Sequence, residues 1–118
     1  QRDDAALAAI GDAVDFHNEI GAKRIEQRVY ELAGEIKVAV EKEGFNLVTP
    51  VAPGLSAGVC IVNVPSKARK NVFGRMYEEF GIAGATTGGL RLCPHIYNTM
   101  EHIERAIHGI KAMRDVIG

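Results

Sequence analysis

The sequence is short of the features that would place it on a polyanion, in a membrane or in a stapled scaffold. Lys and Arg number 14 against 15 Asp and Glu, a formal charge of -1, so no broad positive field exists to hold nucleic acid or an anionic membrane surface. Apolar runs are short, Val59-Cys60-Ile61-Val62 among them, whereas a bilayer span takes roughly 20 such residues. No signal-peptide pattern opens the chain, so a soluble, cytoplasmic protein is expected. Its 2 cysteines, Cys60 and Cys93, are too few for a disulfide framework or a zinc knuckle, and both are expected to be buried thiols. An initiator Met is missing as well: the chain opens Gln1-Arg2-Asp3-Asp4, and processing or excision from something longer is expected.

Chemistry-bearing motifs are equally sparse. There is no nucleophile elbow and no pair of catalytic carboxylates. Lys23, Lys37, Lys42, Lys67, Lys70 and Lys111 all fall in helical segments among charged or polar neighbours, so a buried nucleophilic lysine is not expected. His17, His102 and His108 stand at spacings that put no two imidazoles on one helical face, and a metal site is not expected. The glycine-rich run Gly81-Ile82-Ala83-Gly84-Ala85-Thr86-Thr87-Gly88-Gly89 lacks the lysine and the spacing of a phosphate loop. It reads instead as a flexible loop that lets another chain or a ligand approach the backbone.

What is present suits one ordinary core. With 118 residues, 47% hydrophobic and 25% charged, the chain is expected to form a single domain over 1–118. Asp3 or Asp4 caps a leading helix over 1–21 with Leu7, Ile10 and Val14 at helical spacing, and Gly21 stops it. A second stripe of Ile25, Val29, Leu32, Ile36 and Val40 predicts the clearest amphipathic helix, ending at Gly44. Residues 45–50 read as a short strand and residues 57–64 as the best strand, with Pro65 ending it and Ser66 capping a helix over 67–80 that buries Val72, Phe73, Met76 and Phe80. Residues 82–87 read as a loop or short strand, Gly88-Gly89 as a turn, and residues 90–93 as a strand stopped by Pro94. Asn98 or Thr99 then caps a last helix with the stripe Ile103, Ile107, Ile110, Met113 and Ile117. The order α-α-β-β-α-β-β-α predicts an α/β, two-layer α+β sandwich: three or four mostly antiparallel strands covered on one face by helices.

Alternation places Arg91 on the sheet face opposite Leu90 and Leu92. Its planar guanidinium there meets a carboxylate through two parallel, charge-assisted hydrogen bonds; an ordinary solvent-facing arginine is the plain alternative. His95, with Tyr97 and Asn98 behind it, offers hydrogen bonds or proton transfer beside such a carboxylate, or else a turn that ties down its own backbone.

The run Leu90-Arg91-Leu92-Cys93-Pro94-His95-Ile96-Tyr97-Asn98-Thr99-Met100-Glu101-His102-Ile103-Glu104 resembles a pattern near the C-terminus of class V aminotransferases, fold-type-I pyridoxal phosphate enzymes with isopenicillin N epimerase-like and cysteine desulfurase-like branches. Earlier, residues 15–25 (DFHNEIGAKRI), then Arg28 and Glu31-Leu32-Ala33, resemble the stretch that leads into the small domain of epimerase-like members. The resemblance implies the C-terminal small domain of an enzyme about three times this length, expected to be a homodimer. It also implies that pyridoxal phosphate and its Schiff-base lysine sit in a large domain missing here, with no cofactor bound to this chain alone. Arg91 then matches the arginine that binds the substrate α-carboxylate. Cys93 stands where the family has a small hydroxyl residue, and Ala85 where many members carry an arginine.

The expected function is therefore substrate-carboxylate binding within an amino-acid-transforming, pyridoxal phosphate-dependent enzyme, the isolated chain being inactive. Transamination, epimerisation and desulfuration all stay open. A standalone small-molecule-binding or dimerisation module without chemistry is the alternative.

Overall fold

A computed structural model describes residues 3–118 of the chain. The first two positions of the expected leading helix lie outside the described residues. Helix α1 runs Asp4–Ile20, capped by the Asp3 carboxylate, which accepts the Ala6 backbone N–H at 3.0 Å. Gly21, at φ +96°, turns the chain directly into helix α2, Ala22–Lys42. After a long loop come strand β1, Cys60–Val62, a single 3-10 turn, Ser66–Ala68, and helix α3, Arg69–Phe80. Strand β2, Leu90–Leu92, precedes helices α4, Met100–Ala112, and α5, Arg114–Ile117.

The expected α/β sandwich with a three- to four-stranded sheet is not formed. The fold is mostly helical, and β1 and β2 make an antiparallel pair, Cys60 opposite Leu92, Ile61 opposite Arg91 and Val62 opposite Leu90. The two outer segments add one bridge each, Leu47 to Val62 and Ala85 to Arg91. On the first edge, Val48 donates to the Ile61 carbonyl, but the Ile61 N–H donates to the Thr49 hydroxyl rather than to a backbone carbonyl, and Pro50 follows. The ladder ends there because proline has no N–H to continue it. On the other edge Ala85 exchanges both backbone hydrogen bonds with Arg91, after which the exposed Thr86 and Thr87 lead into Gly88 at φ +80°. Three residues of high β-propensity do not make a strand without a partner along their length.

One core lies between this small sheet and three helices. Leu32, Ile36 and Val40 of α2, Val72 and Met76 of α3, and Ile103, Ala106 and Ile110 of α4 meet Cys60, Val62, Leu90 and Leu92. Each large aliphatic side chain buried in this way contributes about 1.5–3 kcal/mol. The expected stripes of α2 and α4 supply these contacts, although Ile25, Val29 and Ile107 are only half-buried. Of the four side chains expected to be buried on α3, Val72 and Met76 are, while Phe73 and Phe80 are half-buried. The expected Ser66 cap is replaced by the 3-10 turn, in which no side chain caps the helix. The last helix breaks at Met113 into α4 and α5. Close packing of α3 on α4 rests on Gly109, where an added Cβ would stand 2.8 Å from the Met76 sulfur. Helix α1 is the exception to this order: it has no buried residue, and Leu7, Ile10, Val14 and Phe16 are all exposed.

Candidate functional site

The site begins with the alternation of β2. Leu90 and Leu92 point into the core, 2% and 4% exposed, so Arg91 between them projects from the opposite face beside Ile61 of β1. Gly89 brings β2 in close, because a Cβ there would collide with the Val62 carbonyl. The Arg91 backbone is fixed by its two bonds to Ala85, at 2.9 and 3.0 Å. Its side chain is half-buried, and Nε is sealed from water with no hydrogen-bond partner among the described residues. An enclosed guanidinium N–H without an acceptor costs the desolvation of a charged group and calls for a ligand or a partner.

His95 follows in a turn held from several directions. Its backbone N–H donates to Asn98 Oδ1 at 2.8 Å, and the Asn98 N–H returns to the His95 carbonyl at 2.9 Å. Arg28 of α2 reaches the Asn98 carbonyl at 3.5 Å. Thr99 caps α4 in a capping box with His102, so of the two expected caps Thr99 serves the helix and Asn98 serves the turn. The His95 ring stacks obliquely on Tyr97 at 5.4 Å and meets the His17 ring edge-on at 6.2 Å. Its Nδ1 is, like Arg91 Nε, enclosed and without a partner. Two enclosed, unsatisfied nitrogens thus lie four residues apart on one segment.

His17 and Arg28 are the contributors that spacing along the sequence did not assign, whereas Asn98 ties down the turn as one of the two expected readings has it. His17 comes from α1, where its Nδ1–H donates to the Ala13 carbonyl at 2.8 Å. Helical spacing tests for two imidazoles on one helix, and here the second imidazole belongs to a distant turn. The signal that was available was the match of residues 15–25 to a family stretch.

Two further expectations change. Cys60 is buried and desolvation pushes its thiol up to about 12, but Cys93 is exposed. Lys37 is buried, 5% exposed, with its ammonium donating to the Ser56 hydroxyl and, at 3.4 Å, to the Ala57 carbonyl. Ser56 passes the contact on to the Pro50 carbonyl at 3.0 Å. Lys37 therefore braces the loop before β1 and is not displayed to a substrate. No group of three His, Cys, Asp or Glu side chains that could hold a metal ion lies together among the described residues. No described helix is long and apolar enough to cross a membrane.

With this geometry in place, comparison with known proteins gives a relationship. The chain is distantly similar to isopenicillin N epimerases. It is 28% identical over 119 residues to those of Amycolatopsis lactamdurans and Streptomyces clavuligerus, covering 95% of this chain and 30% of each of those proteins. It thus spans less than a third of the length of the curated relatives it matches. Similarity at this distance supports a related family. No family model matches the chain, and no solved structure matches it.

Proposed function

We propose that this chain is the substrate-carboxylate-binding domain of a pyridoxal phosphate-dependent enzyme that transforms amino acids, and that Arg91 grips the α-carboxylate. The observation that carries this reading is the enclosed, partnerless Nε of Arg91, on the face of β2 turned away from the core and within the segment that resembles the family's carboxylate site. A bidentate arginine fixes a carboxylate in plane as well as in place, which orients the Cα–H bond of a bound amino acid. His95, whose enclosed Nδ1 also has no partner, lies beside it as a second polar contact. The distant similarity to two isopenicillin N epimerases supports the same reading.

The residues of this chain do not fit the cofactor itself. Lys37, the one buried lysine among the described residues, is engaged by Ser56 and Ala57. When bound, pyridoxal phosphate supplies the electron sink for the carbanion, and in this reading a separate large domain holds it. That domain is the proposed occupant of the uncovered face of α1, where Leu7, Ile10 and Val14 stand in water.

Two measurements on the chain alone test the proposal. Pyridoxal phosphate followed by borohydride should fix no lysine stoichiometrically; a single, specific adduct would overturn the assignment of the chemistry to another domain. Titration calorimetry with a set of amino acids should give no binding that depends on Arg91 without the partner domain. Tight binding that vanishes in Arg91→Ala would instead make the chain a receptor in its own right.

A further inference from the structure

The core side of β2 borders a second concave surface, separate from the face that presents Arg91. It is a cleft of about 330 Å³ between residues 81–83, the turn after β2 and helix α4. Leu92, Ile36 and Ile103 give it an apolar floor, and neither Arg91 nor His95 lines it. Its volume lies at the small end of ligand sites, room for a compact molecule and not for a nucleotide.

The rim has one sign of charge. Arg105 is the charged side chain among the described lining residues, and no carboxylate lines the cleft. The partner of Arg105 is Glu101, one turn back on α4 at 3.6 Å and with its side chain 81% exposed; so loose and wet a pair holds its arginine weakly. His102 supplies a second donor. Its Nδ1 accepts the Thr99 backbone N–H at 3.2 Å, and a backbone amide only donates, so the neutral ring carries its proton on Nε2. Tyr97 adds a hydroxyl. The cleft walls thus combine a cation and polar side chains with aliphatic surface.

We propose that this cleft is a binding site for a small monocarboxylate with a branched aliphatic or single-ring body, its carboxylate on Arg105 and His102 and its body against Leu92 and Ile103. The site is independent of the role proposed for Arg91, since the two residues face opposite sides of the sheet. Cys93, an exposed thiol on the cleft wall, serves as a built-in reporter of occupancy.

The test uses the full chain with 4-methylbenzoate as the probe and the neutral 4-methylbenzamide as control, followed by amide NMR shifts and by the rate of Cys93 modification with a small disulfide reagent. Saturable shifts are expected at residues 81–83, 93–98 and 102–106, with slower Cys93 modification at saturation. Arg105→Gln, a change at an exposed position, should weaken binding about tenfold through loss of a charge-assisted pair, while Arg91→Gln leaves it within about twofold, the spread expected for a distant site. Three results would overturn the proposal: no saturable shifts, equal binding of the amide, or unchanged affinity in Arg105→Gln. If Arg91→Gln, and not Arg105→Gln, abolishes binding, the probe occupies the carboxylate site proposed for Arg91, and the cleft assignment fails while that reading stands.

Discussion

Two cysteines in one short chain differ in almost every physical respect. Cys60, in β1, is fully buried against the helices, and loss of solvation raises its thiol to about 12, partly offset by the Lys37 charge and the Thr49 hydroxyl. Cys93, one residue past the end of β2, is exposed. Because the thiolate is the reactive form, a disulfide reagent at mildly alkaline pH should modify one thiol per chain rapidly and the second only on unfolding. Equal rates for both would contradict the packing of β1. The same difference sets a pH dependence. An unfolded Cys60 ionises near the ordinary thiol value of 9.0, whereas the folded one holds its proton to about 12. Above the lower value the unfolded chain binds fewer protons, so stability falls as pH rises, by at most about 1.4 kcal/mol per unit from this group. Cys60→Ala should flatten that fall in urea titrations carried out across the range.

At the scale of elements, the entry into α4 fixes both the helix and the turn that carries His95. Thr99 accepts the His102 N–H, and the His102 ring accepts the Thr99 N–H, so two otherwise orphaned donors at the helix start are satisfied together. Thr99→Ala should lower stability by about 1 kcal/mol, read as a reduced urea midpoint at unchanged slope; Thr99→Ser should restore most of it, and an unmoved midpoint in the alanine variant would refute the role of the cap. Such helix ends are legible in a sequence because their chemistry is local. The stripe Leu32, Ile36, Val40 and the left-handed Gly81 that stops α3 are legible for the same reason. Strands are not local objects. The segment with Leu47 fails to extend the sheet because a threonine hydroxyl takes an amide that a ladder carbonyl would need, a substitution that no alternation pattern records. The outward direction of Arg91 follows from alternation alone, since only two apolar neighbours are required. The meeting of His17 with His95, and the burial of Lys37 beneath Ser56, each depend on a loop returning from elsewhere in the chain. Composition hides both.

The whole molecule is larger than its core requires. Its radius of gyration is 16.1 Å, with extents of 47 × 35 × 25 Å, whereas a compact domain of this length has about 13.5 Å. Helix α1 accounts for the excess. At 17 residues it is a rod of about 25 Å that buries none of its side chains and joins the rest through Gly21. Its apolar face, Leu7 at 50%, Ile10 at 57% and Val14 at 51% exposure, contributes nothing to the hydrophobic cluster that α2, α3 and α4 close around β1 and β2. A chain that starts at Gly21 should therefore fold to the same core, with a urea midpoint close to that of the full chain and a scattering radius of gyration near about 13 Å. It should also bind less of a hydrophobic dye, because the stripe removed is the longest run of exposed apolar surface on one described helix face. His95 would lose its edge contact with His17 but keep the turn held by Asn98 and Arg28, so its amide should stay protected from exchange. A large drop in midpoint, or loss of that protection, would mean that α1 is part of the domain's own structure and not a face held out for another one.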